Sequence, residues 1–261
     1  MNLRKTIALS LILFVGPLLF GQSPATNPDL DPAQVAELVT ANHMLAEMGV
    51  LDGYGHVSVR DARNPNRYLL ARAIPAGTVT AADIRVYDLD SNPITGTAAD
   101  SFLERFIHGE IYKARPDVMA VVHSHAPEVI PFSVTNVPLR PIIHMAGFLP
   151  QKVKVFDNRP LFGQTNLLIG NPEIGRALVG AMGSDPVILL RGHGLVVVAP
   201  GLHVAVGRAY YMTVDARVEQ QALLLGGGTA TFLSPEEAEK TAAQDGFERT
   251  WKLWKAKLGE K

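Results

Sequence analysis

Two imidazoles close the apolar run VMAVVHSH, at His123 and His125. Residues two apart on an extended strand point to the same face, so these rings can converge on one ion. A third histidine, His193, lies in LLRGHGLVVVAP, between two apolar strand-like runs and flanked by glycines. Those glycines let the backbone turn tightly and present the ring from a strand-to-strand turn. Three neutral imidazoles, with a fourth position open or filled by a carboxylate, form the pattern of a catalytic metal site rather than a closed structural one. Glu104 is the best-placed carboxylate. It lies upstream in FLERFIHGEIYKARPDVMAVVHSH, with His108 four residues later on the same helical face. The competing reading is two unrelated surface histidines at a strand end and a His108 satisfied on its helix.

Composition narrows the chemistry further. The chain of 261 residues has no cysteine, which excludes thiol nucleophiles, disulfides and thiolate metal sites and leaves histidine and carboxylate as ligands. A formal net charge of −1 offers no basic surplus for a phosphate backbone, so nucleic acid is not an expected partner. Hydrophobic residues at 47% and charged residues at 19% allow a sizeable core. The first 25 residues read as a secretory signal: Arg4 and Lys5, an apolar run over residues 7–20, then small residues at Gly21, Ser23 and Ala25. The run is short for a bilayer span and contains Pro17. Cleavage, no stable membrane anchor and a secreted, periplasmic mature chain are the expectations.

The remaining residues, 26–261, are expected to form one α/β domain, because no linker interrupts them. Asp31 and Pro32 open a helix that ends near Gly49. HVSVR, RYLLA and IRVYDLD read as strands, followed by a helix from about Asp100 to Arg115. VMAVVH, KVKVF, NLLIG, VILLR and LVVVA read as further strands, and PEVIPFSV as a weak helix pattern broken by Pro131. Helices are expected over residues 171–182 and 202–225, with a last one opened by Ser234 and Pro235.

With these residues in place, the chain resembles the class II aldolase/adducin family over roughly residues 33–225. The carriers are ExxxH from Glu104 to His108, ARPDVMAVVHSH, RGHG, the loop GHVSVR and the segment TAADI. The resemblance implies a three-layer αβα fold with a central, mainly antiparallel sheet. It implies one divalent metal ion per chain, usually zinc and sometimes manganese or cobalt, held by His123, His125 and His193. Glu104 would be a fourth ligand and an acid/base group, and the family is often tetrameric.

The chain departs from the sugar-phosphate aldolases of that family at two places. Their loop Asn is replaced by His56, and their Ser-Ser pair before the glutamate by Phe102 and Leu103. Hydroxyls and amides bind a phosphate dianion, and two apolar side chains do not replace them. GYGHVSVR, LERFIHGEIY, HMAGFLP and RGHGLVVV look closer to a branch containing decarboxylases of hydroxylated aromatic or muconic-type acids. A small, non-phosphorylated substrate bearing a carboxylate is therefore expected, with His56, Arg60 and Arg191 as binding residues and Arg72 as a further candidate. Each arginine reads equally as a structural ion pair. Decarboxylation and aldol cleavage both leave an electron pair that must be delocalised as an enolate, which a metal stabilises. Tyr210 or Tyr211 could protonate the product, although packing explains them better. The alternatives are a metal-dependent epimerase or aldolase, a non-catalytic adducin-like assembly domain, and a periplasmic binder.

Overall fold

Strand residues alternate between two apolar layers, and this alternation sets the architecture. The computed structural model describes residues 29–243 and 246–259. The secretory signal expected over residues 1–25 lies outside the described residues. Asp31 accepts from the Ala33 amide and Pro32 takes the first turn, so the chain enters α1 (Pro32–Glu47) where its sequence indicates. Strands β1 (His56–Arg60), β2 (Arg67–Ala71) and β3 (Ile84–Asp88) follow. Next come α2 (Arg105–Ala114), β4 (Ala120–Ser124), the short α3 (Ile130–Val134), β5 (Val155–Phe156) and α4 (Arg159–Phe162). Then α5 (Pro172–Met182), β6 (Val187–Leu190), β7 (Gly194–Ala199) and the long α6 (Leu202–Leu225) precede α7 (Pro235–Ala242) and α8 (Glu248–Lys257).

The strands form one sheet in the order β3-β2-β1-β4-β7-β6-β5. Every pairing is antiparallel except β5 with β6. Val57, Val59, Ala120, Val122, Leu195 and Val197 face the layer that holds α1, α6 and α8. Val121, Val196, Val198 and Ile188 face the layer that holds α2 and α5. Helices cover both faces, which is why the central strands are apolar without interruption rather than alternating with polar residues. The three-layer, mainly antiparallel αβα arrangement implied by the resemblance is the one observed. Among the described residues, no helix is long and apolar enough to cross a membrane.

Several boundaries differ from the sequence expectation. The helix expected from Asp100 begins only at Arg105, because Thr97 and Asp100 close a separate capped turn over residues 98–100. Residues 101–104 are thereby left as a loop. NLLIG is not a strand. Its Leu167 has φ +69°, and its backbone groups serve side chains instead of a ladder. Of KVKVF, only Val155 and Phe156 pair. The C-terminal region holds two helices rather than one, and Trp251 and Trp254 of α8 are buried against the core.

Helix α6 carries two buried carboxyls beneath the backbone of residues 140–143. Asp215 Oδ1 accepts from the Ile142 and Ile143 amides at 2.9 and 3.0 Å, and Glu219 Oε2 accepts from the Arg140 amide at 2.9 Å. Their other oxygens, Oδ2 and Oε1, are buried without a hydrogen-bond partner. Burial pushes both carboxyls up to about 7, and the Asp215 charge adds to the rise at Glu219. A carboxyl whose pKa rises on folding favours the native state while it is protonated. That contribution is full below the ordinary carboxylate range and is lost as pH climbs through about 7. Asp215→Asn and Glu219→Gln should therefore gain stability relative to the wild type as pH is raised from about 4 to about 8. Melting temperatures measured across that window check this, and a difference independent of pH would refute it.

Candidate metal centre and its cavity

The sheet register assembles the site. His56 on β1 lies opposite His123 on β4, and β7 flanks β4 on its other side. His193 occupies the turn between β6 and β7, where two glycines are required for different reasons. Gly192 has φ +60°, a left-handed backbone that disfavours a side chain. A Cβ on Gly194 would sit 2.0 Å from the Ser124 carbonyl oxygen, so only glycine lets the turn close against the end of β4. His125 lies one residue beyond β4, and its ring still converges with that of His123.

The three Nε2 atoms meet at one point. His125 Nε2 lies 3.1 Å from that of His123 and 3.0 Å from that of His193. Glu104 Oε2 lies 3.3 Å from His123 Nε2 and 3.4 Å from His193 Nε2. All four ligand atoms fall within 4.8 Å of one another. Nitrogens about 2.0–2.1 Å from a tetrahedral ion sit about 3.3–3.4 Å apart, so this spacing fits a single cation.

The opposite ring nitrogens explain why the lone pairs face inward. His123 Nδ1 donates to the Leu195 carbonyl at 3.0 Å, and His193 Nδ1 donates to the Leu167 carbonyl at 3.2 Å. His125 Nδ1 donates to the Asp52 carboxylate at 3.1 Å. With Nδ1 protonated in each neutral ring, every Nε2 presents a lone pair to the same small volume. Three acceptors and a carboxylate without a donor between them suit a cation.

The carboxylates are tuned to match. Burial opposes ionisation of Glu104, whereas His123 and His193, when they carry a proton on the facing Nε2, outweigh it and hold its carboxyl far below the usual range. Its Oε1 also accepts the Ile169 amide at 2.8 Å. Both oxygens are thus engaged as a carboxylate, which suits a ligand or base and not a proton-bearing acid. Asp52 is opposed by burial too. The Tyr54 and Gly55 amides and His125 overcome this and bring its pKa below the ordinary value.

A cavity of about 690 Å³ opens beside the cluster. Its walls are Tyr54, Ala73, Ile74, Pro75, Phe102, Leu103 and Leu168, with Ser101, His56, Glu104 and His125 as the polar groups. The loop left by the late start of α2 supplies Ser101, Phe102 and Leu103. Among the described residues, no lysine or arginine lines this space. His56 is buried, its ring centroid 4.5 Å from that of Phe102. Burial, then His108 and His123, drives the His56 pKa well below the ordinary imidazole value. Burial takes His108 down to about 3.

Three arginines expected at the substrate are engaged elsewhere. Arg60 sits at the far end of β1 from His56, and its guanidinium donates to the Val118, Pro65, Tyr112 and Arg115 carbonyls. It ties these backbone segments together and lines no part of the cavity. Arg191 pairs with Asp157 at 3.0 Å and lines no part of the cavity. Arg72 pairs with Asp83 at 2.7 Å. Tyr210 and Tyr211 pack against Trp254, and Tyr211 also against Phe247, so both serve the core. His43 bonds the Val79 carbonyl, and His203 stacks on Trp251. Sequence reading missed Asp52, Ser58 and Tyr112. The aspartate precedes the GYGH loop with no distinguishing motif, and the other two are ordinary residues of a buried strand and helix.

Residues 36–219 match the family described as Class II Aldolase and Adducin N-terminal domain. Decarboxylase tropJ of Talaromyces stipitatus is 34% identical, with 84% of this chain and 92% of that protein covered. A 3,4-dihydroxyphthalate decarboxylase of Arthrobacter keyseri is 31% identical, with 85% and 91% covered. An aldolase II superfamily protein of Pseudomonas syringae superposes with a TM-score of 0.73 at 20% identity, covering 88% of this chain and 94% of that one. L-fuculose 1-phosphate aldolase of Glaciozyma antarctica superposes with a TM-score of 0.67 at 21% identity, covering 86% and 89%. These two structures are alike in fold. The named relatives agree with the branch that the sequence resembles.

Purified protein is expected to hold about one divalent ion per chain. His123→Ala and His193→Ala should each lose it while the far-ultraviolet circular dichroism stays native. Asp52→Ala keeps all four ligands and should weaken affinity by about 10–100-fold. Elemental analysis and metal titration check these outcomes, and full metal content in both histidine variants would refute the assignment.

Proposed function

The chain belongs to the class II aldolase and adducin family, and on that footing we propose that it is a divalent-metal-dependent carbon–carbon lyase that decarboxylates a small, non-phosphorylated, hydroxylated aromatic acid. The observation that carries this reading is the cavity wall. Aliphatic and aromatic side chains surround the cluster, with no cationic side chain among the described residues. Apart from the ion held by the cluster, a phosphate dianion would find no cationic side chain on these walls to pair with. A flat aromatic ring would bury apolar surface against Phe102, Ile74 and Leu168 while its polar edge met the cluster. The relatives named as decarboxylases, one of them for 3,4-dihydroxyphthalate, support the same class of substrate.

His123, His125, His193 and Glu104 would hold the ion. When bound, it supplies Lewis-acid charge to oxygens of the substrate as the carbon–carbon bond to the carboxylate breaks. The protein's own residues do the rest. Nδ1 contacts to Leu195, Asp52 and Leu167 keep the three rings oriented. The Ile169 amide holds Glu104 as a carboxylate. Phe102 and Leu168 line the wall beside the ring, while Leu103, 67% exposed, lies on the open side from which a solvent proton would take the place of the lost carboxylate. Outside the four ligands, Ser101 gives its hydroxyl proton to the Thr97 carbonyl, whereas His56 faces an anionic substrate edge as a neutral ring. We also propose a secreted, periplasmic mature chain, from the layout of residues 1–25, and a homotetramer, from family resemblance.

The metal-loaded protein should release carbon dioxide from 3,4-dihydroxyphthalate or a related ortho-hydroxylated aromatic acid. It should release no aldehyde from L-fuculose 1-phosphate. Coupled carbon dioxide detection beside an aldehyde assay decides between them, and aldehyde release without decarboxylation would replace this reading with an aldolase.

A further inference from the structure

Behind the cavity wall, four buried side chains form an unbroken line of hydrogen bonds. His56 Nδ1 lies 2.7 Å from His108 Nε2, His108 Nδ1 lies 2.6 Å from Ser58 Oγ, and Ser58 Oγ lies 2.8 Å from Tyr112 Oη. None of the four is more than 2% exposed. β1 contributes His56 and Ser58, two apart and therefore on one face. α2 contributes His108 and Tyr112, four apart and therefore one turn apart. No single distance says which partner donates, but the inner end of the line does.

Tyr112 Oη has one proton to give. Among the described residues Ser58 Oγ is the one hydrogen-bond partner found for that oxygen. Tyr112 thus donates to Ser58, and Ser58 donates to His108 Nδ1. His108 then carries its proton on Nε2 and donates to His56 Nδ1. His56 in turn carries its proton on Nε2, the nitrogen left for the cavity. The reverse direction would bury the phenolic proton without an acceptor, and unmade hydrogen bonds of buried donors are the expensive ones. Burial also pushes the Tyr112 phenol well above its usual range, so it keeps its proton. The line therefore holds a direction and does not conduct a proton.

We infer that Tyr112, Ser58 and His108 are positioning residues that lock His56 in its Nε2–H tautomer, making it a dedicated hydrogen-bond donor to an anionic oxygen of the substrate. A neutral donor suits this cavity because it adds no charge that an apolar wall would have to desolvate. An incoming carboxylate oxygen meets an N–H already aimed at it, whereas a ring free to change tautomer would offer a lone pair part of the time. The substrate half of this inference rests on the decarboxylase reading. The tautomer half does not.

The test separates the two halves. Long-range ¹H–¹⁵N spectra of imidazole-labelled, Zn²⁺-loaded protein report which nitrogen of each ring is protonated, and His56→Gln and His108→Gln assign the signals. His56 and His108 are expected as Nε2–H tautomers in the wild type. Tyr112→Phe and Ser58→Ala should each release the lock and shift His56 toward a mixture. Ser58→Thr, which keeps the hydroxyl, should restore it. On an aromatic acid, Tyr112→Phe should raise KM by about tenfold with a smaller change in kcat, as expected for one aligned hydrogen bond. A wild-type His56 protonated on Nδ1, or a tautomer unchanged by both Tyr112→Phe and Ser58→Ala, would overturn the inference whatever the enzyme turns over. A locked tautomer in a protein that decarboxylates no aromatic acid would overturn the substrate half and the proposed function together.

Discussion

Three imidazole lone pairs and a carboxylate oxygen, pressed together without a proton between them, are the constraint around which this protein is built. Left alone, such a cluster repels itself. The fold overcomes that repulsion by tethering each ring from behind, to Leu195, to Asp52 and to Leu167. Two of those tethers are backbone carbonyls, so the orientation of the ligands is tied to the path of the main chain rather than to mobile side chains. A cation relieves the repulsion, and the interaction of four donors with one charge is what the surrounding sheet makes geometrically possible.

The same economy runs outward from the centre. Residues 167–169 give up regular secondary structure so that one carbonyl can orient His193 and one amide can hold Glu104. α2 starts late, which frees residues 101–103 to wall the cavity and leaves Glu104 at the helix entrance. Gly194 removes the side chain that would keep β7 from the end of β4. Each local irregularity therefore has an identifiable counterpart in the positions of the ligands.

Much of this was legible in the sequence, and the failures have physical causes. The HxH spacing, the glycine-flanked His193 and the upstream Glu104 identify the cluster because metal ligation demands particular side chains at particular spacings. The strands and long helices follow from apolar periodicity. NLLIG misleads because a short apolar run looks the same whether its backbone pairs with a strand or with side chains. Arg60 and Arg191 mislead because a guanidinium near a motif carries no mark of its partner. The first is spent on four carbonyls and the second on Asp157. Ser58 and Tyr112 were invisible because their role depends on β1 lying beside α2, and nothing local announces that contact.

The cavity draws its walls from loops, at residues 53–54, 73–75 and 101–103, while His56 and His123 ride on central strands. This separates two kinds of tolerance to change. A substitution in a strand disturbs ladders on both sides and the layers above and below it. One at an exposed rim position such as Tyr54 or Leu103 alters the shape offered to a ligand with little cost to the core. The arrangement gives a lineage room to exchange one substrate for another by small edits at the rim, with the reactive centre carried through intact.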